Sequence, residues 1–86
     1  MDLSLIIPVY NEVENLSPLM DEITAALEGQ SLEYEAIFID DGSSDGSYEL
    51  LQTLREQNYH IAIIRFRRNY GQTAAFAAGF DHARGK

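Results

Sequence analysis

Asp40 and Asp41 stand side by side at the end of an unbroken apolar run, Ala36-Ile37-Phe38-Ile39, and lead into Gly42-Ser43-Ser44-Asp45-Gly46. Carboxylates placed this way can accept hydrogen bonds from a base imide or a ribose hydroxyl. Two other segments carry groups of matching use. Pro8-Val9-Tyr10-Asn11-Glu12 offers the flat apolar surfaces of a proline and a tyrosine, with a carboxylate beside them. Arg68-Asn69-Tyr70-Gly71 adds a second tyrosine and a glycine next to which a ligand can approach the main chain. Pro8, Val9, Tyr10, Glu12, Asp40, Asp41 and Gly71 are therefore the candidate nucleotide-binding residues. Each also has an ordinary use. Asn11 and Glu12 suit the cap of a following helix, Asp40 suits a turn that it fixes through backbone amides, and Tyr70 suits packing. His60 reads as a turn histidine at a strand start, and His82, late in a helix, favours the helix dipole. Neither has a nucleophile or metal-ligand partner at useful spacing. The convergence of three such segments is what favours a site.

That convergence depends on the elements that carry them. An apolar run without polar alternation suits a strand buried on both faces, as in parallel α/β sheets. Hydrophobic spacing predicts strands over residues 3–8, 34–39 and 60–66, and helices over 14–28, 47–57 and 73–83. Pro8 is expected to stop the first strand, and Pro18 to fall in the first turn of the first helix. Gly42 and the serines after it are expected to allow a tight turn and then cap the second helix. Leu16, Leu19, Met20, Ile23 and Leu27 share one helix face, while Ala74, Ala75, Ala77, Ala78 and Gly79 let the third helix approach the sheet closely. The alternation β-α-β-α-β-α with short connections argues for a parallel sheet within a three-layer α/β/α fold. All three segments would then lie beyond the carboxyl ends of the strands, where such sheets bind ligands. The pattern calls for a fourth strand after Gly85-Lys86, so the chain reads as the amino-terminal part of a larger domain. With strand order 3-2-1, the first strand would be left as an apolar edge able to pair with a second copy of the chain.

The 86 residues suffice for one small domain. The absence of cysteine excludes disulfides, thiolate catalysis and zinc-thiolate sites. No apolar run reaches the roughly 18 residues of a membrane span, and Met1-Asp2-Leu3 lacks the basic start of a signal peptide. A soluble, cytoplasmic piece is expected. Six basic residues against fourteen acidic ones give a net charge of -8, which repels nucleic-acid phosphates. Residues 1–54 contain no Lys or Arg, whereas Arg65, Arg67 and Arg68 cluster. The cluster suits either one small phosphorylated ligand or a solvated strand edge. The dinucleotide-binding, P-loop and nucleophile-elbow motifs are all missing.

Ile6-Ile7-Pro8-Val9-Tyr10-Asn11-Glu12, followed by Ile39-Asp40-Asp41-Gly42-Ser43-Ser44-Asp45-Gly46, resembles the start of a family 2 glycosyltransferase with the GT-A fold. The segment from Arg68-Asn69-Tyr70-Gly71 to Gly79 is similar to the dolichyl-phosphate mannose synthase branch and its bacterial polyprenyl-phosphate sugar transferase relatives. The resemblance covers nearly the whole chain, but only a minor part of such an enzyme. It implies a Rossmann-like half of a GT-A domain, a UDP- or GDP-sugar donor and a polyprenyl (dolichyl or undecaprenyl) phosphate acceptor, with inversion at the anomeric carbon. Pro8, Tyr10 and Glu12 match positions lining the family's nucleoside pocket. Asp41 matches the aspartate that contacts the base, Gly71 a loop position next to the nucleotide, and Asp40 a more structural place. The resemblance also implies Mg2+ or Mn2+ held by an Asp-x-Asp motif at the end of the next strand. On that reading the 86 residues contain no metal ligand and no catalytic residue, and the chain alone is inactive. The full-length parent is expected at the cytoplasmic face of the membrane, in cell-envelope work. Two other classes remain open. A phospho-receiver-like signalling domain would place its acid pair after the first strand and needs a third aspartate after a later one. A non-catalytic nucleotide-binding module would use the same loops without transfer.

Overall fold

In the computed structural model, which describes residues 2–27, 29–30, 33–58 and 60–83, strands and helices alternate. They are β1 (Leu3–Val9), α1 (Val13–Leu27), β2 (Tyr34–Asp41), α2 (Ser47–Gln57), β3 (Ile61–Phe66) and α3 (Gln72–His82). Both strand pairings are parallel, and β2 lies between β1 and β3. Every residue of β2 is buried, which is the reason its sequence is apolar without alternation.

The two faces of the sheet are filled differently. Ala36 pairs with Leu5 and Ile61, and Phe38 with Ile7 and Ile63. This face is covered by Leu16 and Met20 of α1 and Leu51 of α2. On the opposite face Ile37 and Ile39 pack with Ala75 of α3, flanked by Ile6, Ala62, Ile64 and Phe66. A side chain at Gly79 would overlap Ile6 and crowd the Ile39 Cδ1 atom at 3.1 Å. The small residues of α3 thus bring its backbone down onto the sheet.

Several boundaries differ from the sequence expectation. Pro8 does not stop β1, which runs on to Val9. It is tolerated because β1 lies at the sheet edge and one side of the strand has no ladder to serve. β2 extends two residues beyond the predicted end, through Asp40 and Asp41, because these pair in register with Arg65 and Phe66. Pro18 is inside α1, not in its first turn. Its ring nitrogen leaves the Glu14 carbonyl without a helical donor, and both residues are exposed to water that can serve instead. The predicted helix end at Glu28 and the chain end at Gly85-Lys86 lie outside the described residues. Among the described residues no strand pairs with the outer side of β1, and no helix is long and apolar enough to cross a membrane.

Candidate functional site

The parallel arrangement brings the carboxyl ends of all three strands to one edge, and with them the loops after β1, β2 and β3. The first two loops are stitched together. The Asn11 amide donates to Ser43 Oγ at 2.9 Å, the Glu12 amide to Ser47 Oγ at 3.2 Å and the Val13 amide to Asp45 Oδ2 at 3.1 Å. In return the Ser44 amide donates to Asn11 Oδ1 at 2.8 Å. The amino terminus of α1 is therefore capped from another part of the chain. Among the described residues neither Asn11 nor Glu12 caps it with a side chain: the Glu12 main-chain carbonyl accepts the Asn15 amide at 2.9 Å, while Asn11 adopts a left-handed conformation (φ 51°) and its side chain ties the loops instead. Ser43 and Ser44 likewise do not cap α2. That helix begins at Ser47, after Gly46 at the cap position, with no side-chain cap among the described residues, while Asp45 Oδ1 accepts the Ser47 amide and hydroxyl. The Ser47 hydroxyl, followed by the Val13 and Ser47 amides, holds the Asp45 carboxyl below its ordinary value.

The third loop is held by one side chain. Asp41, almost wholly buried at 3% exposure, accepts the Tyr70 amide on Oδ1 at 2.7 Å and the Gly71 amide on Oδ2 at 2.9 Å. Charge-assisted bonds of this kind are the strong ones. Gly42 completes the fit. Its φ of 78° suits glycine, and a Cβ there would overlap the Arg68 carbonyl carbon and lie 2.5 Å from the Asn69 nitrogen.

Asp40 faces inward. Its Oδ1 accepts the Ser43 amide at 3.1 Å, fixing the turn after β2. Its Oδ2 is buried without a hydrogen bond among the described residues, and Arg65 Nε stands 4.0 Å away. The Arg65 guanidinium lies over the Tyr48 ring at 4.0 Å, and that of Arg68 over the Tyr70 ring at 5.0 Å. His60 stacks on Tyr34 with ring centroids 3.9 Å apart, so it is a packed residue as well as a turn one. His82 lies in the last turn of α3.

Five of the candidate residues surround one cleft: Pro8, Val9, Tyr10, Glu12 and Asp41, together with Gln72 from the first position of α3. Its enclosed volume is about 30 Å³, room for no more than a few waters. A nucleoside would have to lie across its open mouth, against the exposed ring of Tyr10. Gly71 does not line the cleft but is bonded to Asp41, which does, and Asp40 is withdrawn from it. Gln72 was missed in the sequence, where a polar residue opening a helix carries no local signal of a site.

The acid pair does not fit a metal. Among the described residues no three His, Cys, Asp or Glu side chains are grouped to hold one. Both oxygens of Asp41 face N–H donors, and Asp40 is fully buried. The same burial disfavours a phospho-acceptor aspartate, which must be reachable by a phosphoryl donor.

The sequence profile of the family described as Glycosyl transferase family 2 matches residues 4–86. Among solved structures, the mannosyltransferase PcManGT from Pyrobaculum calidifontis, in complex with GDP-Man and Mn2+, is similar over 94% of this chain, with a TM-score of 0.72 and 22% sequence identity. The match covers 24% of that protein, so this chain spans about a quarter of its length. At that identity the likeness establishes the fold, three parallel strands and three helices as an α/β Rossmann-like fragment matching a GT-A glycosyltransferase.

Proposed function

The chain belongs to glycosyl transferase family 2, and on that premise we propose that it is the nucleotide-sugar-binding, amino-terminal part of an inverting glycosyltransferase. Its donor is a UDP- or GDP-sugar, and the acceptor of the full-length protein is a polyprenyl phosphate presented at the cytoplasmic face of a membrane. The observation that carries the reading is the cleft, in which the first two strand-end segments and Gln72 of α3 meet around Asp41, whose carboxylate also holds the third segment through the Tyr70 and Gly71 amides. An ionised carboxylate accepts hydrogen bonds on about four lone-pair sites, and two are taken here by amides. The rest remain for a base N–H, in a place where little water competes. Tyr10 and Pro8 supply apolar surface to the flat base, and Glu12 lies at the rim for a ribose hydroxyl.

The similar mannosyltransferase binds GDP-Man with Mn2+, which supports a nucleotide-sugar donor and a divalent cation for the full-length protein. The residues described here do not fit such a cation, so its ligands are assigned elsewhere in that protein. The present residues bind and orient the nucleoside.

Calorimetric titration of UDP, GDP and their sugars into the chain, with and without manganese, tests the reading. Tyr10→Ala, a change at a half-exposed position, and Asp41→Asn serve as variants. Binding that weakens in both, while their spectra stay folded, supports it. Undiminished binding in both variants would place the nucleotide outside this cleft.

A further inference from the structure

Two residues that line the cleft, Tyr10 and Glu12, flank one that does not. Asn11 instead lines a neighbouring pocket at the start of α1, together with Asp45. It is also the one described residue other than glycine with a positive φ, 51°. Left-handed backbone is costly for a residue with a Cβ, and asparagine and aspartate bear it best. Such a conformation persists only where its surroundings over-determine it, and here they do. The Asn11 amide donates to Ser43 Oγ at 2.9 Å, and its Oδ1 accepts the Ser44 amide at 2.8 Å. Ser43 is fixed in turn by its own amide on the buried Asp40 carboxylate at 3.1 Å. Asp40 stands in β2, in register with Val9 of β1 and Arg65 of β3. The turn at Asn11 is thus anchored, through the loop after β2, to the centre of the sheet.

We propose that Asn11 is a positioning residue for the nucleotide. It touches no ligand; by clasping a left-handed turn to Ser43 and Ser44 it fixes the direction in which Tyr10 leaves β1 and presents its ring. The proposal rests on the nucleotide-sugar reading above. Tyr10 is 48% exposed, so its ring is placed chiefly by the main chain that carries it. A turn free to relax keeps the ring in the binding arrangement for only part of the time, and the apparent affinity falls by that fraction. Glu12 depends less on the clasp, because its amide is held separately on Ser47 Oγ at 3.2 Å. That tie, and the Val13 amide on Asp45 Oδ2 at 3.1 Å, keep the start of α1 in place when the clasp is opened.

UDP and GDP are titrated by calorimetry into the full chain and into its Asn11→Gly, Ser43→Ala and Tyr10→Ala variants. Each of the first two changes is also combined with Tyr10→Ala, and nuclear magnetic resonance spectra verify every fold. Glycine adopts the left-handed conformation freely, so Asn11→Gly removes the Oδ1 acceptor without imposing strain. Ser43→Ala opens the clasp from its other side. Each is expected to weaken binding about threefold to tenfold, the worth of one hydrogen bond. Once Tyr10 is alanine, either change should cost less than about twofold, because residues that act through one another are not additive. Losses that add in full overturn the proposal while leaving the nucleotide-sugar reading in place. So does unchanged affinity in the folded Asn11→Gly and Ser43→Ala chains, which would mark the clasp as merely structural, and so does binding undiminished in Tyr10→Ala. A folded native chain that binds neither nucleotide overturns the nucleotide-sugar reading itself, and this proposal with it.

Discussion

The wall of the cleft after β1 and the wall after β3 border the same end of β2, yet they are secured in opposite ways. The first is tied to the loop after β2 by four hydrogen bonds, with acceptors on Ser43, Ser47, Asp45 and Asn11. The second hangs on the two oxygens of Asp41, with Gly42 packed against the main chain of Arg68 and Asn69. Redundant ties spread the cost of losing any member. A single buried carboxylate concentrates it, and this carboxylate also faces the cleft. A ligand bonded to Asp41 thus shares an acceptor with the amides that position Tyr70, Gly71 and Gln72, whereas a ligand touching Tyr10 or Glu12 meets a wall held from elsewhere.

The comparison breaks first, if it breaks, at Asp41. Asp41→Ala removes two bonds of about 1.5–3 kcal/mol each and strands two amides, so urea unfolding should show the largest loss of stability in this set. Loss no greater than that of Ser47→Ala would mean that the second wall has other supports. Gly42→Ala comes next, at about 2–3 kcal/mol, from a strained φ and an overlap with main-chain atoms that cannot turn aside. The same unfolding curves measure it. On the redundant wall, Ser47→Ala removes one acceptor of the α1 amino terminus and should cost about 1 kcal/mol, the usual worth of a cap.

The smallest effect is expected at Asp45, and it is a dependence on pH. Its carboxyl is held below the usual aspartate value of 3.8, first by the Ser47 hydroxyl and then by the Val13 and Ser47 amides. A group lowered on folding stabilises the fold above its unfolded value and loses that contribution as pH falls through the folded one. Native stability should therefore decline as pH drops below 3.8, and part of this decline should be missing in Asp45→Asn. Because Asp45 is exposed, added salt should shrink the difference. Acid titrations of the two proteins followed by circular dichroism read it directly.

Most of the scaffold was legible because its signals are local. The unbroken apolar run of β2 and the stripe from Leu16 to Leu27 report burial within a few residues of chain, as do Ala75 and Gly79 of α3, whereas Ala77 is exposed. The α2 bounds at Ser47 and Gln57 were read correctly. The ends of β1 and β2 were not, since Val9, Asp40 and Asp41 become strand by pairing with distant residues. Local reading also misjudged the caps. It assigned the serines after β2 to α2, the helix they precede, whereas Ser43 and Ser47 serve amides of the segment entering α1, which lie 32 and 35 positions away in the chain.

The sequence by itself determined the order of elements, the buried faces and the gathering of three polar segments at one edge, because hydrophobic period and parallel topology follow from neighbouring residues. Tertiary structure decided what the polar atoms do there. Asp40 and Asp41 are adjacent and chemically identical, but successive strand residues point to opposite faces. One therefore turns inward beside Ser43 and Arg65, and the other meets Tyr70 and Gly71, 29 and 30 positions further along the chain. A carboxylate's role is set by the donors brought to it, and those donors arrive only when β3 takes its register on β2.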